Sequence, residues 1–421
     1  MAAATFPFWW MFLMRIGRLS WLALLSVAVC GAVPNVTRAA EAESVGEIVS
    51  RLVSASRIYD KRRMRSASER LVEIGAEAVP GLMSVVDDVD DNVRWQAIAA
   101  LGRIGRPAAT VSIPLMTAAC ADRDADVRGA AAVALGQMRV KEVVAVRAVR
   151  LLRRDEQPMV RADAWWAWWQ ATGDRKAITE LVDLLSAKDW LASSHASHHL
   201  STVGSPAVKV LVEKMIAGPS RDRRQVAETL RRMGPRAVTA IPKLLRVLDG
   251  KDRHVAAAAA RVLGTQGAAA VIGLRDRLDA PRADTRRLAV VALGEIGPPA
   301  SSAAAKMAGR LEFVDGRELL QLVTALGRIG SKATVAVPGL VVILKHSHRD
   351  SRGAACEALG RIGSAAHGAT EALSAVAEGD PVDFVRRAAQ RANAEIIRQR
   401  AGQVAAKLNP ETNPVPDELR E

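Results

Sequence analysis

The chain has 421 residues, and its 59 Lys and Arg residues exceed its 45 Asp and Glu residues, giving a formal net charge of +14. Hydrophobic residues make up 49 % of the sequence but aromatic residues only 4 %. The apolar content is therefore mostly Ala, Val and Leu, which is typical of close-packed helices rather than of β-sandwiches. Three cysteines exclude a disulfide scaffold and a four-cysteine zinc module, and the apolar content excludes wholesale disorder.

Residues 1–40 have the pattern of an export signal. Arg15 and Arg18 precede an apolar run over residues 21–32, and small residues follow with a cleavage site near Ala39-Ala40. We therefore predict a signal peptide or N-terminal anchor over residues 1–40, and a protein exported to the periplasm or cell envelope.

Three alternatives stay open for this segment. The apolar run is short for a membrane span, but an uncleaved anchor is compatible with it. Cys30 would be the acceptor if the segment were a lipoprotein signal, although Val29 stands where that signal wants a small residue. The third alternative is a cytoplasmic protein whose first helix is buried.

After this segment the chain repeats one short pattern. A leucine is followed at once by a small or polar residue and shortly afterwards by glycine, as in Ala100-Leu-Gly-Arg-Ile-Gly105. The spacing of these leucines defines eleven units of about 32 residues. The marking leucines are Leu71, Leu101, Leu135, Leu200, Leu230, Leu263, Leu293, Leu326 and Leu359, with Trp169 in this slot after Leu135 and Ala392 after Leu359.

Each unit is predicted to contain two helices. Val93, Ala97 and Leu101 recur at the spacing of one helical stripe, and we expect Gly105 to end that helix in the left-handed conformation. The next helix opens with proline in its first turn or two, where a missing N–H costs little. Helices this short and this rich in alanine bury their apolar faces only by stacking on neighbouring pairs. The proline patterns are Val79-Pro80-Gly-Leu82, Ile113-Pro114-Leu115, Ile241-Pro242-Lys-Leu244 and Val337-Pro338-Gly-Leu340.

The repeated unit Asp-x-Val-Arg-x-x-Ala-x-x-Ala-Leu-Gly-x-Ile-Gly, clearest at Asp91–Gly105 and Ser351–Gly363, resembles HEAT repeats. The resemblance is to the short type named after phycobilisome lyases. It implies an all-α, right-handed α-solenoid, or superhelix, of about eleven two-helix repeats, with the second helices on the concave side. We place the solenoid at residues 41–401 and a disordered tail at 402–421. The repeat is specific for fold and nearly silent about function.

An arginine recurs near the start of seven of the predicted second helices, and most of these arginines follow an acid by two or three residues. A basic stripe for a ligand is one interpretation. The structural interpretation, which we favour, is that the acid caps the helix while the arginine pairs with acids of neighbouring units. The arginines are Arg94, Arg128, Arg161, Arg223, Arg286, Arg352 and Arg386, and the acids are Asp91, Asp126, Asp284, Asp350 and Asp383.

Two adjacent second helices break the repeat's own pattern with clustered tryptophan and histidine. We expect Trp168, one of four neighbouring tryptophans, to pack inward. This register turns Trp166, and Trp165 or Trp169, outward. In the next second helix it places His195 and His198 one turn apart on one exposed face. These five residues form a candidate partner-binding patch. The alternative is a locally bulky core beside solvated histidines.

Metal and catalytic chemistry find little support in the sequence. His195 and His198 have a metal-compatible spacing, but no third ligand is evident nearby, so we predict no metal site. Iron-binding HEAT proteins of the deoxyhypusine hydroxylase type use His-Glu pairs, and none of the seven histidines here precedes glutamate. Phosphate-loop, nucleophile-elbow and His-Glu-x-x-His motifs are also absent. We predict no catalytic residues and no cofactor, with a lyase- or hydroxylase-related enzyme as the alternative.

Two basic clusters are candidate sites for anionic partners. An exported protein would meet anionic lipid or polysaccharide there rather than nucleic acid, and a merely solvated face is the alternative. The leading prediction is a monomeric, non-catalytic scaffold whose concave face binds protein partners. The clusters comprise Arg62, Arg63 and Arg65, and Arg223, Arg224, Arg231 and Arg232.

Overall fold

The computed structural model describes residues 43–408, apart from the side chains at 220, 221 and 406–408. Within this range the chain is all-α, and consecutive helix pairs form the eleven predicted repeats. The first helices are α1 (Val45–Arg57), α3 (Val79–Met83), α5 (Arg106–Ala119), α7 (Val143–Leu152), α9 (Lys176–Leu184), α11 (Ser205–Ala217), α13 (Ile241–Leu248), α15 (Ala268–Asp276), α17 (Ala304–Ala308), α19 (Val337–Ile343) and α21 (Thr370–Gly379). The second helices are α2 (Lys61–Ile74), α4 (Asp91–Ile104), α6 (Ala125–Gln137), α8 (Pro158–Thr172), α10 (Trp190–Val203), α12 (Ser220–Met233), α14 (Arg253–Leu263), α16 (Ala283–Ile296), α18 (Gly316–Ile329), α20 (Arg349–Ile362) and α22 (Asp383–Leu408).

The second helices of neighbouring repeats lie closer together than the first helices do. At one such contact a Cβ atom on Gly102 would lie 2.7 Å from the Cβ of Ala134, and at another a Cβ on Gly327 would lie 2.8 Å from the Cα of Ala358. Only glycine allows this approach. Because the second helices are the more closely spaced layer, the stack curves toward them and they line its concave side.

The turn after most second helices needs a glycine for its backbone conformation. Gly105 has φ 75° and ψ −137°, so the left-handed helical conformation expected there is wrong in ψ. The observed region is essentially restricted to glycine, and it lets α5 begin directly at Arg106. Pro80, Pro242 and Pro338 lie in the first turn of their helices as predicted. The prediction is wrong for Pro114, which lies inside α5 because that helix already begins at Arg106.

The recurring arginines are structural. Arg128 donates from Nε and Nη2 to the Asp155 carboxylate at 2.8 and 3.0 Å, and from Nη1 to the carbonyl oxygens of Asp122 and Arg123 at 2.9 and 3.1 Å. Arg128 thus ties the loop before its own helix to the loop of the next repeat. Arg94 pairs with Asp122 and Arg352 with Asp380 in the same way.

The helix caps differ in detail from the prediction. Asp90 caps α4 by accepting from the N–H groups of Asn92 and Val93, and Asp124 caps α6. The caps are therefore one or two residues earlier than the acids Asp91 and Asp126, which lie in the first helical turn.

One stretch of the described chain, residues 316–343, is long and apolar enough by composition to cross a membrane. It comprises α18, a turn and α19, with Gly330 at φ 72° between them. Leu322, Val323 and Leu326 are buried in the core that the repeats share. Packing within the solenoid accounts for their apolar character.

The chain termini are described only in part. Helix α22 continues to Leu408, so residues 402–408 of the predicted tail are helical. The predicted signal peptide or anchor over residues 1–40 lies outside the described residues, as does the rest of the predicted tail.

We expect Gly105→Ala to lower the free energy of unfolding by about 1–3 kcal/mol, since alanine is strained at this φ and ψ. Gly46→Ala is the control, because it lies in α1 with no atom within 4 Å of an added Cβ and alanine favours helix by up to about 1 kcal/mol. Urea denaturation measures both. Equal stability of the two variants would contradict the conformational argument.

Asp380 supplies a prediction about pH. Hydrogen bonds from Arg352 hold the pKa of Asp380 below its ordinary value, so this carboxylate stabilises the fold above its unfolded pKa, and the contribution is lost as pH falls through the folded pKa. At neutral pH, Asp380→Asn should cost about 1.5–3 kcal/mol, and the difference from wild type should shrink below about pH 4. Asp383→Asn is the exposed control, at about 0–1 kcal/mol. A pH-independent difference in urea titrations would refute the assignment.

Candidate functional site

The tryptophans of α8 are more buried than the sequence predicts. Trp165 and Trp166 are only 9 % and 7 % exposed, so their predicted outward orientation is wrong. Trp168, expected to point inward, is half-buried, and so is Trp169. The binding role proposed for this patch stays a prediction.

The contact between α6 and α8 defines the register of the tryptophans. A Cβ on Gly136 would lie 3.0 Å from the Cα of Ala167, which repeats the contact between Gly102 and Ala134. Ala167 is therefore the equivalent of Ala134, and Trp168 rather than Trp169 occupies the leucine slot. This register agrees with the expected inward direction of Trp168, so the burial of Trp166 has another cause. Its ring lies in the contact between second helices, where a Cβ on Gly136 would be 2.7 Å from the ring.

Two of the tryptophans pack against polar neighbours. The Trp166 ring stacks on the His199 imidazole at 4.9 Å between centroids, and its Nε1 donates to Thr202 Oγ1 at 2.9 Å. The guanidinium of Arg153 lies 4.1 Å from the Trp168 ring centroid. The contacts of Trp166 join α8 to α10 of the next repeat, whereas the contact of Trp168 lies within its own repeat.

Beside Trp166 lies a buried carboxylate that the sequence analysis missed. Oδ1 of Asp163 is 2.8 Å from Nδ1 of His195 and 2.7 Å from Nε2 of His199. The side chains of Asp163 and His199 are 3 % and 6 % exposed, whereas that of His195 is 37 % exposed. Three groups that can each bind a metal ion therefore converge between α8 and α10, and the expectation that no third ligand lies nearby is wrong.

The cluster uses His199, not His198, as its second histidine. The two residues are adjacent in α10, but His198 is exposed and contacts the edge of the His199 ring, with centroids 5.6 Å apart. The sequence did carry a signal for Asp163. In structural register it occupies the slot of His195 one repeat earlier, and side chains in the same slot of successive repeats are neighbours.

A missing side chain makes room for the carboxylate. A Cβ on Gly129 of α6 would lie 2.6 Å from Oδ2 of Asp163, closer than a carbon and an oxygen can approach. The buried polar group therefore occupies space that Gly129 leaves open.

The charges in the cluster are strongly coupled. Burial alone would raise the pKa of Asp163, but the charge and hydrogen bonds of His195 and His199 outweigh burial and hold that pKa below its ordinary value. The Asp163 carboxylate likewise outweighs burial and raises the pKa of His195. Desolvation, together with the charges of His199 and His195, lowers the pKa of His198 to about 4.

The predicted basic clusters are partly neutralised. In α2, Arg62 is exposed, while Arg63 pairs with Asp60 at 3.4 Å and Arg65 with Glu69 at 2.7 Å. In α12, Arg223 pairs with Asp252 at 2.8 Å and Arg224 is exposed. Arg231 and Arg232 share one acid, Glu228, at 2.6 and 3.4 Å. Binding of an anionic partner there stays a prediction.

The repeat architecture has a counterpart in known families. The profile of HEAT repeats matches residues 50–136, 79–167, 147–231 and 315–394, more than half of the chain. The chain belongs to the HEAT-repeat family. No curated protein sequence matches it significantly.

Solved structures with related architecture include Kap95p with RanGDP and Kap121p with Nup53p. The first is 13 % identical over 89 % of this chain and 60 % of its own length, and the second 11 % over 87 % and 52 %, each with a TM-score of 0.49. An engineered protein is 20 % identical over 84 % of this chain and 98 % of its own, with a TM-score of 0.34. The HEAT-repeat chain thus spans between half and two thirds of the two longer structures.

The burial of Trp166 yields a prediction. We expect Trp166→Ala to cost about 3–5 kcal/mol of stability, because a large buried side chain is lost. Trp190→Ala is the control, since Trp190 is 56 % exposed and should change stability by no more than about 0.5 kcal/mol. Urea denaturation followed by circular dichroism compares the two. A neutral Trp166→Ala would show that this ring is not a core element.

Proposed function

We propose that this HEAT-repeat protein is a non-catalytic scaffold that binds a protein partner along its concave face. The observation that carries the proposal is a contrast between slots of the second helices. The positions of the second helices that pack in the core hold the same few residue types along the chain. The residue type at the position two residues before the marking leucine changes from one repeat to the next. In ten successive repeats it holds Glu69, Ala99, Val133, Trp166, His198, Glu228, Arg261, Val291, Thr324 and Glu357.

This variation favours a protein partner over a repetitive polymer. A polymer with one charge per unit would be matched by the same basic residue in each repeat. The arginines that do recur, such as Arg94 and Arg128, already bond to carboxylates and carbonyl oxygens of the solenoid. All of the varied residues except Trp166 are exposed or half-buried. A surface that changes from repeat to repeat suits an irregular protein surface.

Two finer points belong to the same proposal. Repeats of about 32 residues support the short, phycobilisome-lyase-like type of HEAT repeat. The basic and apolar pattern of residues 1–40 supports export to the periplasm or cell envelope. Fractionation, with N-terminal sequencing of the mature chain, tests this location, and a mature chain that begins at Met1 in the cytoplasm would contradict it.

A matched pair of charge reversals tests the scaffold. Arg261 lies exposed on α14 of the concave layer, and Arg246 lies exposed on α13 of the other layer. A protein partner identified by co-purification from the native envelope should bind Arg261→Glu at least about tenfold more weakly, a loss of about 1.4 kcal/mol, and Arg246→Glu as tightly as wild type. Titration of the two purified proteins measures both affinities.

Three outcomes would count against the proposal. Equal loss in both variants would move the interface off the concave face. Binding of a polysaccharide or lipid that falls steeply with added salt would favour the polymer interpretation. Turnover of a small molecule by the purified chain would favour the enzyme.

A further inference from the structure

We propose that Asp163, His195 and His199 form a binding site for one divalent transition-metal ion, with Zn²⁺ as the best-matched candidate. Two imidazoles and one carboxylate are a ligand set that zinc and related metals accept, commonly with a fourth position left for water. The site goes beyond the scaffold function and does not depend on it.

The donor atoms are close enough to share one ion. Oδ1 of Asp163, Nδ1 of His195 and Nε2 of His199 all lie within 4.8 Å of one another. Zinc ligands at about 2.0–2.2 Å in a tetrahedron stand roughly 3.4 Å apart. The observed nitrogen–oxygen distances of 2.8 and 2.7 Å therefore have to open by roughly 0.6 Å, which a small side-chain rotation provides.

Binding requires the ring protons to leave the coordinating nitrogens. In the hydrogen-bonded cluster each neutral histidine donates its N–H to Asp163. When a metal takes those nitrogens, a neutral ring moves its proton to the other nitrogen, Nε2 of His195 or Nδ1 of His199, and a protonated ring releases one proton to solvent. Both rings are then neutral in the complex. The carboxylate then faces the ion in place of two N–H groups.

Side chains of the surrounding repeats hold the three ligands in place. Asp163 fills the space left by the absent side chain of Gly129, and the Trp166 ring covers one face of His199. In the other repeats the slot of His199 is mostly alanine, as at Ala134 and Ala325. Asp163, His195 and His199 occur together in two adjacent repeats, and all three lie at the contact between α8 and α10.

Charge also favours a cation here. The Asp163 carboxylate is buried, and a buried anion is unfavourable unless a positive group accompanies it. Asp126 adds a second negative charge that acts on both Asp163 and His195. A proton on a histidine or a metal ion supplies the positive charge, and a divalent ion supplies more of it.

The site is open on one side. The His195 side chain is 37 % exposed and lies in the concave layer, so an ion has a route from solvent that does not require the repeats to separate. The same side would leave the fourth coordination position to water or to a group of a bound partner.

The experiment uses the tag-free full-length chain, stripped of metal with a chelator and titrated with ZnCl₂ by calorimetry. Co²⁺ then serves as a spectroscopic probe. We expect one ion per chain and visible Co²⁺ absorption typical of four-coordinate geometry. Asp163→Asn and His199→Gln should each weaken Zn²⁺ binding by at least about 100-fold, since loss of even an outer hydrogen-bond partner costs about 10–100-fold.

The control is His198→Gln, which alters the adjacent histidine outside the cluster and should leave the affinity unchanged. His195→Gln changes the half-exposed ligand and decides the matter if a buried variant fails to fold, as judged by circular dichroism. Failure of the wild type to bind Zn²⁺ or Co²⁺, or equal weakening by His198→Gln and His199→Gln, would overturn the proposal and leave a purely hydrogen-bonded cluster.

Discussion

The structure depends on how closely neighbouring second helices approach. At Gly102 against Ala134 and at Gly327 against Ala358, a single added carbon would overlap the next helix. The stack bends toward this tight layer, because the first helices are spaced more widely. The curvature of the solenoid and the existence of a concave face thus follow from a small residue on each side of one contact.

The contact between α8 and α10 is made differently. In structural register Trp169 stands where neighbouring repeats have Gly102 and Gly136, and His199 stands where they have alanine. Larger side chains fill the contact, with the Trp166 ring stacked on His199 and the Asp163 carboxylate bonded to two histidines. A buried polar network in a solenoid otherwise packed through Ala, Leu and Gly is the feature that sets these two repeats apart.

A second, independent set of contacts joins the loops at the helix ends of neighbouring repeats. Arg94, Arg128 and Arg352 each bond their own loop through carbonyl oxygens and the next loop through a carboxylate, as Arg128 does with Asp122, Arg123 and Asp155. Much of the basic character of the chain is therefore internal to the stack. The charges left for a partner are those on exposed positions such as Arg62, Arg224 and Arg261.

The sequence by itself determined the helical class, the eleven repeats and the structural role of the recurring arginines, because these depend on periodicity and local capping chemistry that recur along the chain. It did not determine the orientation of the tryptophans. The burial of Trp166 depends on the neighbouring helices, because its ring packs against Gly136 of α6 and His199 of α10. Nor did it bring Asp163 to His195 and His199, which lie 32 and 36 residues away. Only the stacking of successive repeats decides which side chains in equivalent slots face one another, since that pairing is set by the packing between helices and not by any helix alone.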